Sequence, residues 1–186
     1  MDAQKKSCLY LERCEHERHE FLEVLKDIPQ AQRVYVDEAG VDDTVSYAYG
    51  WSRKGTRCHG ERLGHRTKRV SMAAAWCQSP CGQAQVISPL TFEGYCNAAL
   101  VEAWFSQHLV KALQPGQVVI LDNASFHSMK RLRAILEKVG CFLLPLPRYS
   151  PDLNKIEHLW NTLKVRIAHA KHRHNNFRDA VDAAFL

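Results

Sequence analysis

Apolar positions along the chain fall into alternating helical and strand-like patterns. In residues 2–28 the charge density is high, and Phe21, Val24, Leu25 and Ile28 recur at helical spacing before Pro29 stops the pattern, which predicts a leading helix. "RVYVDEAG" then reads as a short β-branched and aromatic strand ending in acid and glycine. "VSYAYGWSR" alternates Tyr47, Tyr49 and Trp51, and "RVSMAAAWC" follows as a third strand, so the three together predict an antiparallel meander. Residues 97–113 place Leu100, Val101, Trp104, Phe105, Leu109 and Ala112 on one helical face, with Asn97 as the cap and "QPG" as the stop.

The run "QVVILDN" is almost wholly apolar, as a strand buried on both faces in a parallel part of a sheet must be. Ser128 can cap a helix striped by Met129, Leu132, Ile135, Leu136 and Val139, closed by Gly140 in the left-handed conformation. "CFLLPLP" is a further strand. A last long helix follows Asn154 with Ile156, Leu159, Trp160, Leu163 and Ile167 inward, and a weaker helical tail, "FRDAVDAAFL", closes the chain. The element order βββαβαβα predicts an α/β fold with a mixed five-stranded sheet and helices on both faces.

Composition agrees with one folded unit. The chain has 186 residues, 46% of them apolar and 24% charged. No uninterrupted apolar run approaches the roughly 20 residues needed to cross a bilayer, and the first residues lack a secretion signal. Seven cysteines, an odd number without framework spacing, fit reduced thiols and a cytoplasmic setting better than disulfides. No membrane association is expected.

The net charge of +5 is unevenly placed. Residues 53–69 hold seven basic residues, Arg53, Lys54, Arg57, Arg62, Arg66, Lys68 and Arg69, against the single Glu61. A solvated hairpin rim accounts for such a run, and so does a phosphate backbone. A second basic stretch runs through Lys164, Arg166, Lys171 and Arg173 with His169, His172 and His174 interleaved, which tilts the reading toward nucleic acid.

The acids give that reading a chemistry. Asp37 ends the first strand, Asp122 ends the buried fourth strand, and Glu157 stands in the first turn of the long helix, so adjacent strands can bring the three together. Crowded carboxylates repel one another and lose hydration, and are tolerable only if protonated or neutralised by a cation. Oxygen-only ligands with open positions favour magnesium or manganese over zinc. Two such ions about 3.5–4 Å apart suit phosphodiester chemistry. Each acid also has a plainer reading. Glu157 lies three residues after Asn154, the spacing of a capping box. Asp122 with Asn123 can form a turn, and Asp37 with Glu38 can end a strand at solvent. A zinc module on Cys58, His59, Cys77 and Cys81 is disfavoured by its loose spacing.

The blocks "VYVDEAG", "GWSRKG", "VVILDNASFHS" and "PRYSPDLNKIEHLWNTLK" resemble the successive motifs of the DDE catalytic domain of mariner-like bacterial insertion-sequence transposases, over roughly residues 33–170. The 34 residues between Asp122 and Glu157 match the spacing of the second and third acids of that family. The resemblance implies a ribonuclease H-like fold, with Asp37, Asp122 and Glu157 as catalytic metal ligands. Glu38, Asn123, His127 and Asn154 match the motif positions around them.

The implied activity is hydrolytic nicking of transposon ends with Mg²⁺ or Mn²⁺, without a covalent protein intermediate. Attack of the freed 3′-hydroxyl on target DNA at a TA dinucleotide follows. The basic residues of 53–69, with Lys155 and Lys164, are the expected DNA contacts. Trp51, Trp160 and the residues around Tyr149 are expected to pack the domain rather than stack on bases. Lys155 departs from the proline usual at its position, and only a linker-like helix, residues 1–32, precedes the catalytic domain at 33–186. Complete members carry helix-turn-helix modules there and assemble as dimers on paired ends. The chain then reads as a partner or fusion product of a split element, or as a relic. A non-catalytic fragment that binds DNA or dimerises, and a ribonuclease H-like nuclease acting on another nucleic acid, are the alternatives.

Overall fold

The computed structural model describes residues 10–45, 50–60, 64 and 69–186. Helix α1 spans Glu15–Asp27 and buries Phe21 and Leu25, one turn apart. Three strands follow: β1 (Arg33–Val41), β2 (Val70–Gln78) and β3 (Ala84–Glu93). Helix α2 (Ala98–Trp104) runs on through a π-helical turn, Phe105–Leu109, into the short α3 (Val110–Ala112). Then come β4 (Val118–Leu121), α4 (Met129–Glu137), β5 (Phe142–Pro145), α5 (Glu157–Ala170) and α6 (Phe177–Ala183).

The five strands form one sheet in the order β3-β2-β1-β4-β5. β1, β2 and β3 pair antiparallel, whereas β1, β4 and β5 pair parallel. Period-2 alternation divides the strand residues between two cores. Tyr35, Met72, Ala74 and Ile120 join Phe21 and Leu25 of α1, Trp160, Leu163 and Ile167 of α5, and Val181 of α6. Val34, Val36, Ala73, Val119 and Leu121 join Val101 and Trp104 of α2, Phe105 and Leu109 of the π-helical turn, and Leu132 and Leu136 of α4. Full burial of a side chain of this kind contributes on the order of 1.5–3 kcal/mol, so each layer is secured by several such residues.

The ends of the helices follow local chemistry. Asn97 Oδ1 accepts the Leu100 N–H at 2.9 Å, as expected of a cap. Gly140 takes a φ of 70° just after α4. Ser128, expected to cap α4, makes no side-chain cap bond.

The meander differs from expectation. Of the strand expected over residues 45–53, residues 46–49 lie outside the described residues, and residues 50–53 form no strand. Trp51 is fully exposed, so it does not pack the domain. The third antiparallel strand is β3, a half-exposed edge strand whose register with β2 shifts between Ala73 and Ala75. The extra residue bulges where Ser88 takes a φ of 50°, and its carbonyl accepts the Trp104 indole N–H at 2.9 Å.

Candidate active site

Strand parity determines where the acids point. Tyr35 faces the α5 layer, so Asp37, two residues on, continues that face. Ile120 faces the same layer, and Asp122 follows it by two residues just past the end of β4. In the parallel register Tyr35 lies opposite Ile120, which sets Asp37 level with Asp122. β1 does not end at Asp37 as expected. It continues to Val41, with Asp37 paired to Ala74 of β2. β4 stops, β1 does not, and a cavity of about 720 Å³ opens there, lined by Asp37, Asp122 and Glu157 together with Asn123, His127 and Asn154.

Two side chains tie α5 to the sheet beside these acids. Asn154 is buried. Its amide Nδ2 donates to the Val36 carbonyl at 3.2 Å, and its Oδ1 accepts the Ile156 N–H at 3.4 Å. Trp160, one turn beyond Glu157 and also buried, donates its indole N–H to Asp37 Oδ2 at 3.0 Å. A capping box does not form, because the Asn154 N–H is bonded to the Pro151 carbonyl. Glu157 is thereby left to face the cavity.

The electrostatics show an uncompensated acidic group. Burial, then the like charge of neighbouring Glu38, pushes the Asp37 carboxyl up to about 7, with Asp122 adding to the effect and hydrogen bonds from the Glu38 backbone and Trp160 opposing it. His127 lies on the other side of Asp122. Burial works against its charged form, yet its contacts with Asp122 and Glu38 prevail and raise it to about 10. Nδ1 lies 3.0 Å from Asp122 Oδ1, and Nε2 lies 3.2 Å from Glu38 Oε1. The first contact is an ion pair without good hydrogen-bond alignment, since the buried Asp122 Oδ1 has no aligned donor.

Glu38, Asp122 and His127 have ligand atoms within 4.8 Å of one another, a grouping that can hold a cation. Both ring nitrogens are already engaged by carboxylates, so His127 serves here as an internal counter-ion. One imidazolium cannot balance four acids, and Asp37, Asp122 and Glu157 are left facing the cavity with oxygen atoms only. That donor set, with an acid destabilised by burial and by its neighbours, fits a hard divalent cation.

The expected basic contacts are dispersed. Arg53, Lys54 and Arg57 are exposed within residues 50–60, while Arg62, Arg66 and Lys68 lie outside the described residues. The Arg69 guanidinium packs on Gly40 and stands 5.7 Å from the Tyr95 ring centre. Lys155 is half-buried with its ammonium 6.0 Å from the Tyr35 ring centre, and Lys164 is exposed on α5. Among the described residues of this set none lines the cavity; Arg148, Tyr149 and Tyr10 do. From the sequence, Arg148 and Tyr10 have no expected role and the residues around Tyr149 are assigned to packing, although the prolines bracketing "PRYSP" signal a rigid exposed turn. Tyr149 is 49% exposed and is not core. Cys58, His59, Cys77 and Cys81 form no metal-binding group among the described residues, whose six cysteines are all free.

A mixed β3-β2-β1-β4-β5 sheet with helices on both faces, one carboxylate within β1 and another just past the end of β4, defines a nuclease-type domain of ribonuclease H-like fold. The family model of the DDE superfamily endonucleases matches residues 32–180, and the chain belongs to that family. Family membership implies use of a divalent metal.

No curated protein matches the sequence. Among solved structures, the fold is similar to that of Mos1 transposase in its paired-end complex with the left transposon end, with a TM-score of 0.65 at 19% identity over 89% of this chain and 53% of that one. It is also similar to the Mos1 strand transfer complex, with a TM-score of 0.68 at 18% identity over 98% of this chain and 56% of that one. For the catalytic domain of Mos1 mariner transposase the TM-score is 0.51 at 18% identity, over 92% and 77%. At these identities the likeness is one of fold, and the chain spans about half the length of the first two. Among the described residues no helix is long and apolar enough to cross a membrane.

Proposed function

We propose that the domain is the catalytic unit of a transposase, which nicks DNA at transposon ends and joins the freed 3′-hydroxyl to target DNA. The observation that carries this reading is the convergence of Asp37, Asp122 and Glu157, from three separate elements, on one cavity. Asp37, Asp122 and Glu157 are the metal ligands. They would hold two ions of Mg²⁺ or Mn²⁺, which would supply activation of the attacking oxygen and stabilisation of the leaving one. Trp160 holds one oxygen of Asp37 and so presents the other to the cavity. His127 lies between Asp122 and Glu38, contacting a carboxylate oxygen of each, and so fixes the two side chains relative to one another. Asn154 fixes the start of α5, and with it Glu157, against β1. Recognition of specific ends belongs in this reading to a helix-turn-helix partner or fused segment, with two chains acting on paired ends.

Supercoiled plasmid incubated with purified protein tests the catalytic reading. Nicking is expected with Mg²⁺ or Mn²⁺, absent with EDTA, and lost in Asp122→Asn. Equal nicking by Asp122→Asn, or metal-independent nicking, overturns it. A folded wild-type chain that binds DNA but never nicks it favours the partner-dependent or non-catalytic alternative.

A further inference from the structure

Part of the wall of the cavity is a turn that displays two side chains. In Pro147–Pro151, Ser150 is buried and its hydroxyl donates to the Arg148 carbonyl at 3.1 Å, closing the turn on itself. On one flank the Leu146 N–H is bonded to the Leu121 carbonyl at 2.8 Å, one residue before Asp122. On the other, Asp152 accepts two hydrogen bonds from Arg18 of α1, at 2.9 and 2.7 Å. Arg148 and Tyr149 project from this clamped tip and are both exposed.

Tyr149 has a φ of 52°. A bulky residue with a Cβ adopts the left-handed conformation only where its surroundings impose it, and such residues concentrate at functional sites. The Tyr10 ring packs against it at 5.6 Å between centroids and 38° between planes, Tyr149 remains 49% exposed, and both residues line the cavity.

A cation beside a half-free aromatic ring, both lining a carboxylate cavity, matches one nucleotide of a DNA strand: phosphate to the guanidinium, base to the ring. A base inside a duplex has no free face to offer, so the ring can be used only if that base leaves the stack. We propose that Arg148 and Tyr149 form a binding site for an unstacked DNA base next to the phosphodiester held between Asp37, Asp122 and Glu157. The inference rests on the DNA-cutting reading above, and it makes Tyr149 a substrate-positioning residue. Local opening of the duplex then accompanies entry of the scissile phosphate.

Fluorescence anisotropy with the full chain in Ca²⁺ tests the site, using two labelled DNA probes of equal length, one fully paired and one with two unpaired bases at an internal nick. Wild type is expected to prefer the unpaired probe roughly tenfold, the usual scale for stacking one base on an aromatic ring. Tyr149→Leu, which keeps apolar bulk at the same backbone strain, abolishes the preference without lowering the melting temperature or the affinity for paired DNA. Tyr149→Trp retains it, and Arg148→Ala weakens binding to both probes with a shallower salt dependence. No preference in wild type, or a preference that survives Tyr149→Leu, overturns the proposal. Plasmid nicking is scored separately: the preference without nicking upholds the base site while the catalytic reading falls, and nicking without the preference does the reverse.

Discussion

Asp37→Asn is expected to stabilise the metal-free protein while destroying its activity. The Asp37 carboxyl is pushed from an ordinary value of 3.8 up to about 7, chiefly by burial and by Glu38. A folded-state value above the unfolded one means that the stability associated with the group is fully present below pH 3.8 and is lost as pH rises through about 7. At about 1.4 kcal/mol per tenfold, that interval corresponds to a penalty of roughly 4 kcal/mol for holding the charged form in the fold at pH 8. Asparagine is close in shape, carries no charge, and can still accept the Trp160 N–H, so it removes the penalty and keeps the bond. For a domain of this size about 1 kcal/mol moves the midpoint by some 2–4 °C, which places the gain near 10 °C in EDTA at pH 8 and well below that at pH 5.

The assay is thermal unfolding of both proteins from pH 5 to pH 8 in EDTA, repeated with saturating Mn²⁺. Metal should raise the midpoint of the wild type and leave the variant nearly unmoved, reversing their order. A wild type at least as stable as the variant in EDTA at pH 8, or a difference independent of pH, refutes the electrostatic account of the site.

Two further outcomes follow from the supports of the site. Trp160→Phe keeps the buried bulk but removes the donor to Asp37 Oδ2, and is expected to weaken Mn²⁺ binding by about 10- to 100-fold, the scale for outer partners of metal ligands; calorimetric titration returning wild-type affinity contradicts the positioning role. The paired bonds from Arg18 to Asp152 tie α1 to the turn before Asn154, so Arg18→Ala and Asp152→Ala are each expected to cost about 1 kcal/mol and the double variant scarcely more; additive losses in urea unfolding show that the pair is uncoupled.

What the sequence disclosed was whatever depended on local pattern. The apolar run before Asp122 could only be a strand covered on both faces, and Trp160, Leu163 and Ile167 could only be the inner stripe of a long helix. β3 escaped because an edge strand is half solvated and needs little alternation, and Pro89 within it reads as an interruption. The aromatic alternation around Trp51 imitated a strand without one being formed at residues 50–53, since alternation states a preference and a partner decides pairing. In the site, the three acids that line the cavity stand out in the sequence by their place in a family pattern. The His127 bridge to Glu38 was not, because 89 residues separate them and only the sheet brings them together. Nor was the left-handed backbone of Tyr149, where no glycine marks the turn.

The unequal lengths of β1 and β4 divide the acids into two mechanical classes. Asp37 is gripped by the β2 ladder for four residues beyond its own position, and Asp122 follows directly from β4, a strand buried along its whole length. Glu157 instead rides on the opening turn of a helix, joined to the sheet nearby through the Asn154 amide and the Trp160 indole. Any adjustment of the spacing between acids during a reaction cycle therefore falls on α5, with the sheet as the stationary reference. Substitutions that loosen the residue 154–156 turn should broaden the range of cations the site accepts before they unfold the domain.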